Sequence, residues 1–176
     1  MKPLPSPPDS YFEKFGSNAV TLHPFDPRTT RIAERYLNLL SSILCDHRVE
    51  LQHRGSTAFH IAGKRDIEIG IFPSEDEWEN VIGKLSQHFG PPNHSEEDFI
   101  RFNDESGGYD IEIILLKGYL AKIDRCLTAY LLESPDLLKK YEEVKRKYAH
   151  SKREYMKAKE AFFRSVIQMI PEEPNV

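Results

Sequence analysis

One stretch decides the fold: Leu51-Gln52-His53-Arg54-Gly55-Ser56, nine further residues, then Asp66-Ile67-Glu68-Ile69-Gly70-Ile71-Phe72. Its second half alternates. Ile67, Ile69 and Ile71 fall on one face of a strand over residues 65–72, and Asp66, Glu68 and Gly70 fall on the other. The isoleucine face belongs in a core. The acidic face sets two like charges about 7 Å apart along one strand, which costs stability unless they meet water or a cation. Downstream the pattern returns. Tyr109, Ile111, Ile113 and Leu115 face one way, and Asp110 and Glu112 face the other. Two such strands can converge on one divalent cation, and hard oxygen ligands suit Mg²⁺ or Mn²⁺. The competing reading is that both acidic rows form the wet side of an antiparallel sheet. Gly55-Ser56 favours the cation. Glycine lets the backbone approach a phosphate, its neighbour adds a hydroxyl and N–H donors, and downstream carboxylates can hold a phosphate-bridging metal.

The rest of the chain arranges itself around these strands. Residues 1–26 hold five of the twelve prolines and read as an irregular arm. Asp26-Pro27 opens a helix whose stripe is Ile32, Tyr36, Leu39, Leu40 and Ile43. Residues 49–53 alternate as a short strand, and residues 55–63 form a loop. Ser74 with Glu77 three residues on has the form of a capping box, followed by a helix burying Trp78, Ile82, Leu85 and Phe89. Residues 99–103 and 109–117 form two strands joined through Asp104-Glu105-Ser106-Gly107-Gly108, a hairpin signal. Three helices follow, over about 118–132, 135–150 and 151–170. The expected class is α+β: a mixed sheet of four to five strands with flanking helices and a C-terminal helical extension. The expected domains are an arm over 1–23 and one domain over 24–170, helical from about 118.

The chain has 176 residues, 39% hydrophobic and 30% charged. That is one domain's worth, with no apolar run of the ~18–20 residues that cross a bilayer. The N-terminus lacks the apolar core of a secretory signal. Two distant cysteines, Cys45 and Cys126, suggest neither a disulfide framework nor structural zinc, so a reducing, cytoplasmic setting is expected. Both fall on helix stripes and read as small core residues. The net charge of -4 conceals an asymmetry. Residues 1–116 hold 11 Lys+Arg against 19 Asp+Glu, and residues 117–170 hold 13 against 7. This describes either a cleft with one acidic and one basic wall or two differently charged solvated surfaces.

Gly55-Ser56, the nine-residue spacer and Asp66-Ile67-Glu68 together resemble the signature of the nucleotidyltransferase superfamily, with its DNA polymerase beta-like fold. More narrowly, His53-Arg54-Gly55-Ser56-Thr57-Ala58 and Gly63-Lys64-Arg65-Asp66-Ile67-Glu68 resemble the GrpB family within it. So do Tyr130-Leu131-Leu132, Pro135-Asp136-Leu137, Tyr141-Glu142-Glu143-Val144-Lys145, Tyr155-Met156-Lys157-Ala158-Lys159 and Phe162-Phe163. The resemblance covers residues 24–170. It implies Mg²⁺- or Mn²⁺-dependent transfer of a nucleoside monophosphate from a nucleoside triphosphate to an acceptor: a small molecule, RNA or protein. It also implies that Gly55, Ser56 and Thr57 grip the phosphates. Asp66, Glu68 and Asp110 would hold metal, with Asp110 or Glu112 as the third catalytic carboxylate. The chain departs from the family at three places: Phe59-His60-Ile61 follows Ala58, Glu stands at position 68 where Asp is commoner, and Arg stands at position 54 where an apolar residue is usual. The altered loop and Glu68 motivate an alternative, a catalytically inactive nucleotide-binding or interaction module on the same fold.

Other residues carry weaker signals. Lys64 shares the acidic strand face by alternation, and either offsets the carboxylates or touches a phosphate. Lys159 lies on the apolar stripe of the last helix with Tyr155 and Phe163, where it reaches an anion or snorkels to water. The clusters Lys139-Lys140 and Lys145-Arg146-Lys147 read as the exposed side of a helix that buries Leu137, Tyr141, Val144 and Tyr148. His53 is placed to orient the Gly-Ser loop or to be a satisfied structural histidine. The proline-rich arm (Pro3, Pro5, Pro7, Pro8) also has the composition of a peptide ligand.

Overall fold

A computed structural model describes residues 1–171. In chain order the elements are α1 (Asp9–Glu13), α2 (Arg28–Ile43), β1 (Val49–Arg54), the single turn α3 (Gly55–Ala58), β2 (Asp66–Pro73), α4 (Trp78–Phe89), β3 (His94–Ser95), β4 (Phe99–Ser106), β5 (Tyr109–Leu116), α5 (Gly118–Leu132), α6 (Pro135–Tyr148) and α7 (Lys152–Met169). The expected mixed α+β class is the one observed. Among the described residues no helix is long and apolar enough to cross a membrane.

Residues 24–122 form one compact unit, and residues 1–23 with residues 123–171 form another. The first unit is built on one sheet of order β1-β2-β5-β4-β3. β2 and β5 run parallel at its centre, and the other pairs are antiparallel. The alternation read from the sequence decides which face is buried. Ile67, Ile69, Ile71, Ile111, Ile113 and Leu115 are fully buried, with Leu40 and Leu44 from the α2 side and Val81 and Leu85 from α4 in the same core. The opposite face is divided. Its far end is apolar, where Phe72, Ile114 and Leu116 pack with Ala121 of α5. Its near end carries the acids.

Several local expectations are revised. The strands of the hairpin run on to Ser106 and Tyr109, leaving Gly107 and Gly108, both with positive φ, as a two-residue turn. The two-residue edge strand β3 is too short to announce itself by alternation. The capping box does not form: a 3-10 turn over Glu75–Glu77 precedes α4, and Ser74 makes no side-chain cap bond. The Glu77 carboxylate is instead engaged by His47 Nδ1 at 2.7 Å. Cys45 is exposed because α2 ends at Ile43, and Cys126 is only partly covered.

In the second unit the arm is tied down by main-chain bonds, Val20 N to Ala149 O (2.6 Å), Lys152 N to Asn18 O (2.8 Å) and Arg153 N to Gly16 O (3.1 Å). Phe12 of α1 is buried. Lys145 corrects the reading of the basic cluster. Its side chain is completely buried, with Nζ 4.8 Å from the Tyr141 ring centroid, while Arg146 and Lys147 are exposed. Lys145 follows Tyr141 by four residues, so the helical period puts it on the apolar face.

Asp26 links the start of α2 to the sheet. Its carboxylate accepts the Arg28 N–H (2.9 Å) and the Tyr109 hydroxyl. Hydrogen bonds from the Arg28 side chain, then Tyr109, then the Arg28 backbone hold its pKa well below the usual carboxylate range. A depressed folded-state pKa stabilises above the unfolded value, and that contribution is lost as pH falls through the folded one. The melting-temperature difference between the native chain and Asp26→Asn is therefore expected to be largest above about pH 4 and to shrink on further acidification. Thermal melts from pH 7 to pH 2 check this; a difference that grows toward acid would contradict it.

Candidate active site

The sheet register assembles the acidic end. Parallel pairing aligns Asp66 with Asp110 and Glu68 with Glu112, while antiparallel pairing aligns Arg54 with Glu68 and Asn103 with Glu112. Asp66, Glu68 and Glu112 each bring a carboxylate oxygen within 4.8 Å of the others. The sequence left Asp110 and Glu112 open as the third acid and put Asp110 among the metal ligands. The geometry brings Glu112 into the cluster, and Asp110 lies exposed outside it. The register sets each of them opposite an acid of β2, and what separates them is burial: Asp110 is exposed and Glu112 is partly covered.

Three cations accompany the three acids. Lys64 Nζ lies 2.9 Å from Asp66 Oδ2, Arg54 Nε 3.4 Å from Glu68 Oε2, and Arg101 Nη1 3.4 Å from Glu112 Oε1. The acid side chains are only 11%, 21% and 23% exposed, so desolvation matters here. Burial, then the charge of Glu68, pushes the Glu112 carboxyl above the ordinary glutamate value, against Arg101 and Lys64. Burial alone would lower Lys64. The charge of Asp66 and its hydrogen bond, with Glu112 and Glu68 behind them, raise it above the ordinary lysine range. Lys64 does not reach Asp66 by strand alternation as read from the sequence, because β2 begins only at Asp66 and Arg65 has a φ of 74°. Arg54 and Arg101 were not assigned to the site. The signal was present, since each precedes or follows an acidic strand on the outward-facing parity, but a lone arginine on a strand does not disclose its neighbour.

Gly55 and Ser56 close the site on the β1 side, in the turn α3 rather than in an open loop. Gly55 has a φ of 75°, a conformation that disfavours side chains. A Cβ there would stand 2.6 Å from Glu68 Oε1, so the carboxylate lies directly over the glycine. Gly63 packs equally closely, its missing Cβ 2.9 Å from that of Ser56. Thr57 is buried, with Oγ1 2.8 Å from His53 Nε2. Burial, then His60, lowers the His53 pKa to about 4 against the pull of Glu68, leaving the ring neutral at pH 7. His53 thus fixes the loop and is itself satisfied. His60 is exposed and stacks on Phe25 with centroids 4.4 Å apart. Lys159 belongs to the second unit, where its Nζ lies 5.5 Å from the Tyr155 ring centroid.

The donor set fits a hard divalent cation. Oxygen ligands of an octahedral Mg²⁺ stand about 2.1 Å from the metal, hence roughly 3–4 Å apart. A spread of 4.8 Å needs only a small closure of flexible side chains.

Among curated proteins none matches the sequence significantly. Among solved structures, the chain is similar to Cid1 in complex with its short product ApU, at 10% identity and a TM-score of 0.49 over 77% of this chain and 42% of that one. The Cid1 poly(U) polymerase with Mg and 3'-dATP bound is similar at 11% identity and a TM-score of 0.49, over 78% and 46%. A cytoplasmic RNA terminal U-transferase follows at 12% and 0.42, over 78% and 44%. This chain spans less than half the length of each. The family model of the GrpB protein matches residues 19–169, nearly the whole chain with both the Gly-Ser turn and the carboxylate strands inside it, and the chain belongs to the GrpB family.

Proposed function

We propose that this chain is a divalent-metal-dependent nucleotidyltransferase that moves a nucleoside monophosphate from a nucleoside triphosphate onto an acceptor hydroxyl. One observation carries the reading: three half-buried carboxylates from two neighbouring strands meet within 4.8 Å, beside a glycine turn that the sequence places where phosphates would be gripped. Asp66, Glu68 and Glu112 are the residues that would hold Mg²⁺ or Mn²⁺. When bound, the metal supplies charge stabilisation at the attacking and leaving oxygens.

The chain's own groups do the rest. Gly55 and Ser56 orient the triphosphate through their backbone N–H groups and the Ser56 hydroxyl. Lys64, raised in pKa and partly exposed, is positioned to meet phosphate oxygens while remaining charged. The acceptor oxygen attacks the α-phosphorus, the bond from that phosphorus to the β-phosphate oxygen breaks, and pyrophosphate leaves with the electron pair. The acceptor proton passes to a carboxylate. Glu112, which stands within the cluster beside Asp66 and Glu68, is the carboxylate placed nearest to that chemistry.

A second reading is favoured by the Arg54–Glu68 and Arg101–Glu112 pairs: a nucleotide-binding module in which two of the three acids are engaged by arginine and no transfer occurs. Pyrophosphate release separates the two. Continuous pyrophosphate detection across acceptors supports the transferase; nucleotide binding without release supports the module.

Thermal-shift titration with ATP, GTP, CTP and UTP plus Mg²⁺ or Mn²⁺ is expected to stabilise the protein with at least one nucleotide. No shift with any of them would remove both readings. Asp66→Asn is expected to abolish metal-dependent nucleotide stabilisation and to lower pyrophosphate release by on the order of a hundredfold or more. Its circular dichroism should stay native, because Lys64 can turn to water. Gly55→Ala is expected to destabilise by about 1–2 kcal/mol through its left-handed backbone. It should also displace Glu68 from the cluster, so that the metal requirement rises about tenfold. Chemical denaturation and Mn²⁺ titration of that variant check both effects.

A further inference from the structure

The two central strands carry the acids and the two strands flanking them carry arginines. Across the sheet one register row reads Arg54, Glu68, Glu112, Asn103, and Arg101 stands two residues from Asn103 on the same face of β4. Lys64 covers the third acid from the start of β2. Three negative and three positive groups therefore share one half-buried patch. The Lys64 contact is close, at 2.9 Å. Both arginine contacts are longer, at 3.4 Å, beyond the roughly 2.7–2.9 Å of a well-formed charge-assisted bond. The guanidiniums screen Glu68 and Glu112, and Arg101 also donates a hydrogen bond to Glu112.

A balanced patch responds unequally to different ligands. A bare divalent ion adds two positive charges beside guanidiniums that are already there. A triphosphate brings about four negative charges, which two divalent ions cancel. Building on the transferase reading, we propose that Arg54 and Arg101 are resident counter-cations that exclude bare divalent metal and turn to the incoming phosphates, so that metal and triphosphate enter together. Replacing the like charges should therefore raise the affinity for bare metal by on the order of tenfold or more. A purely structural pairing, in which the arginines only relieve carboxylate repulsion, would lower thermal stability on substitution and leave metal affinity unchanged.

The test is Mn²⁺ titration followed by water-proton relaxation enhancement, which reports metal held on the protein. It is run on the full chain and on Arg54→Gln, Arg101→Gln and Arg54→Lys, with and without inorganic tripolyphosphate. The native chain and Arg54→Lys should hold Mn²⁺ weakly alone and at least about tenfold more tightly with tripolyphosphate. Each glutamine variant should bind bare Mn²⁺ tightly, with the tripolyphosphate advantage reduced or gone. Arg101 is the more exposed of the two, 34% against 19%, so its variant keeps the test open should Arg54→Gln fail to fold. Glutamine variants that bind bare Mn²⁺ no better than the native chain would overturn the proposal while leaving the transferase standing. No relaxation enhancement in any variant, with or without tripolyphosphate, would overturn both.

Discussion

The parallel pairing of β2 with β5 constrains everything at the acidic end of this sheet. Each strand buries one parity of residues completely, so a slip of one position would drive carboxylates into the core and isoleucines into water. Burial of Ile67, Ile69, Ile71, Ile111, Ile113 and Leu115 thus fixes the register. The same register leaves Glu68 beside Glu112 on the other face with no freedom to separate. The hydrophobic effect holds the like charges together; their own interaction opposes it.

Such an arrangement persists only with compensation, and the molecule supplies it from the flanking segments. β1 contributes Arg54, β4 contributes Arg101, and the bend before β2 contributes Lys64. Partial exposure of each acid adds water to the balance. Burial, then the charge of Glu68, keeps the Glu112 carboxyl above the ordinary glutamate value. The far end of the same face differs: there Phe72, Ile114 and Leu116 pack with Ala121 of α5.

The alternation in residues 65–72 and 109–115 made the sheet, its buried face and its acidic face legible, because a period of two is a local property. What depended on pairing was not legible. Asp110 and Glu112 share a strand face and each stands opposite an acid of β2; they differ in burial, which no spacing discloses. Arg54 and Arg101 are ordinary strand residues until the register sets them opposite acids. Gly55-Ser56 was recognisable as a special turn from glycine alone, but its closure into α3 rests on main-chain bonds such as Phe59 N to Gly55 O, which no spacing announces. A run of three basic residues at 145–147 suggests solvent, whereas helical phase puts only Arg146 and Lys147 there and buries Lys145.

The register also joins two features that look unrelated in the sequence, an arginine at position 54 and a glutamate at position 68. They are direct partners across β1 and β2. The glutamate is one methylene longer than an aspartate, long enough to lean back over the strand end until its carboxylate covers Gly55. There it lies within reach of the Arg54 guanidinium, itself held by the antiparallel ladder. An apolar residue at position 54 would leave the longer acid without its charge partner. An aspartate at position 68 would draw the carboxylate back from the glycine and lengthen the 3.4 Å contact. The glycine permits the approach, the extra methylene makes it, and the arginine neutralises it, so the three residues act as one local solution to a charge that the core has already fixed in place.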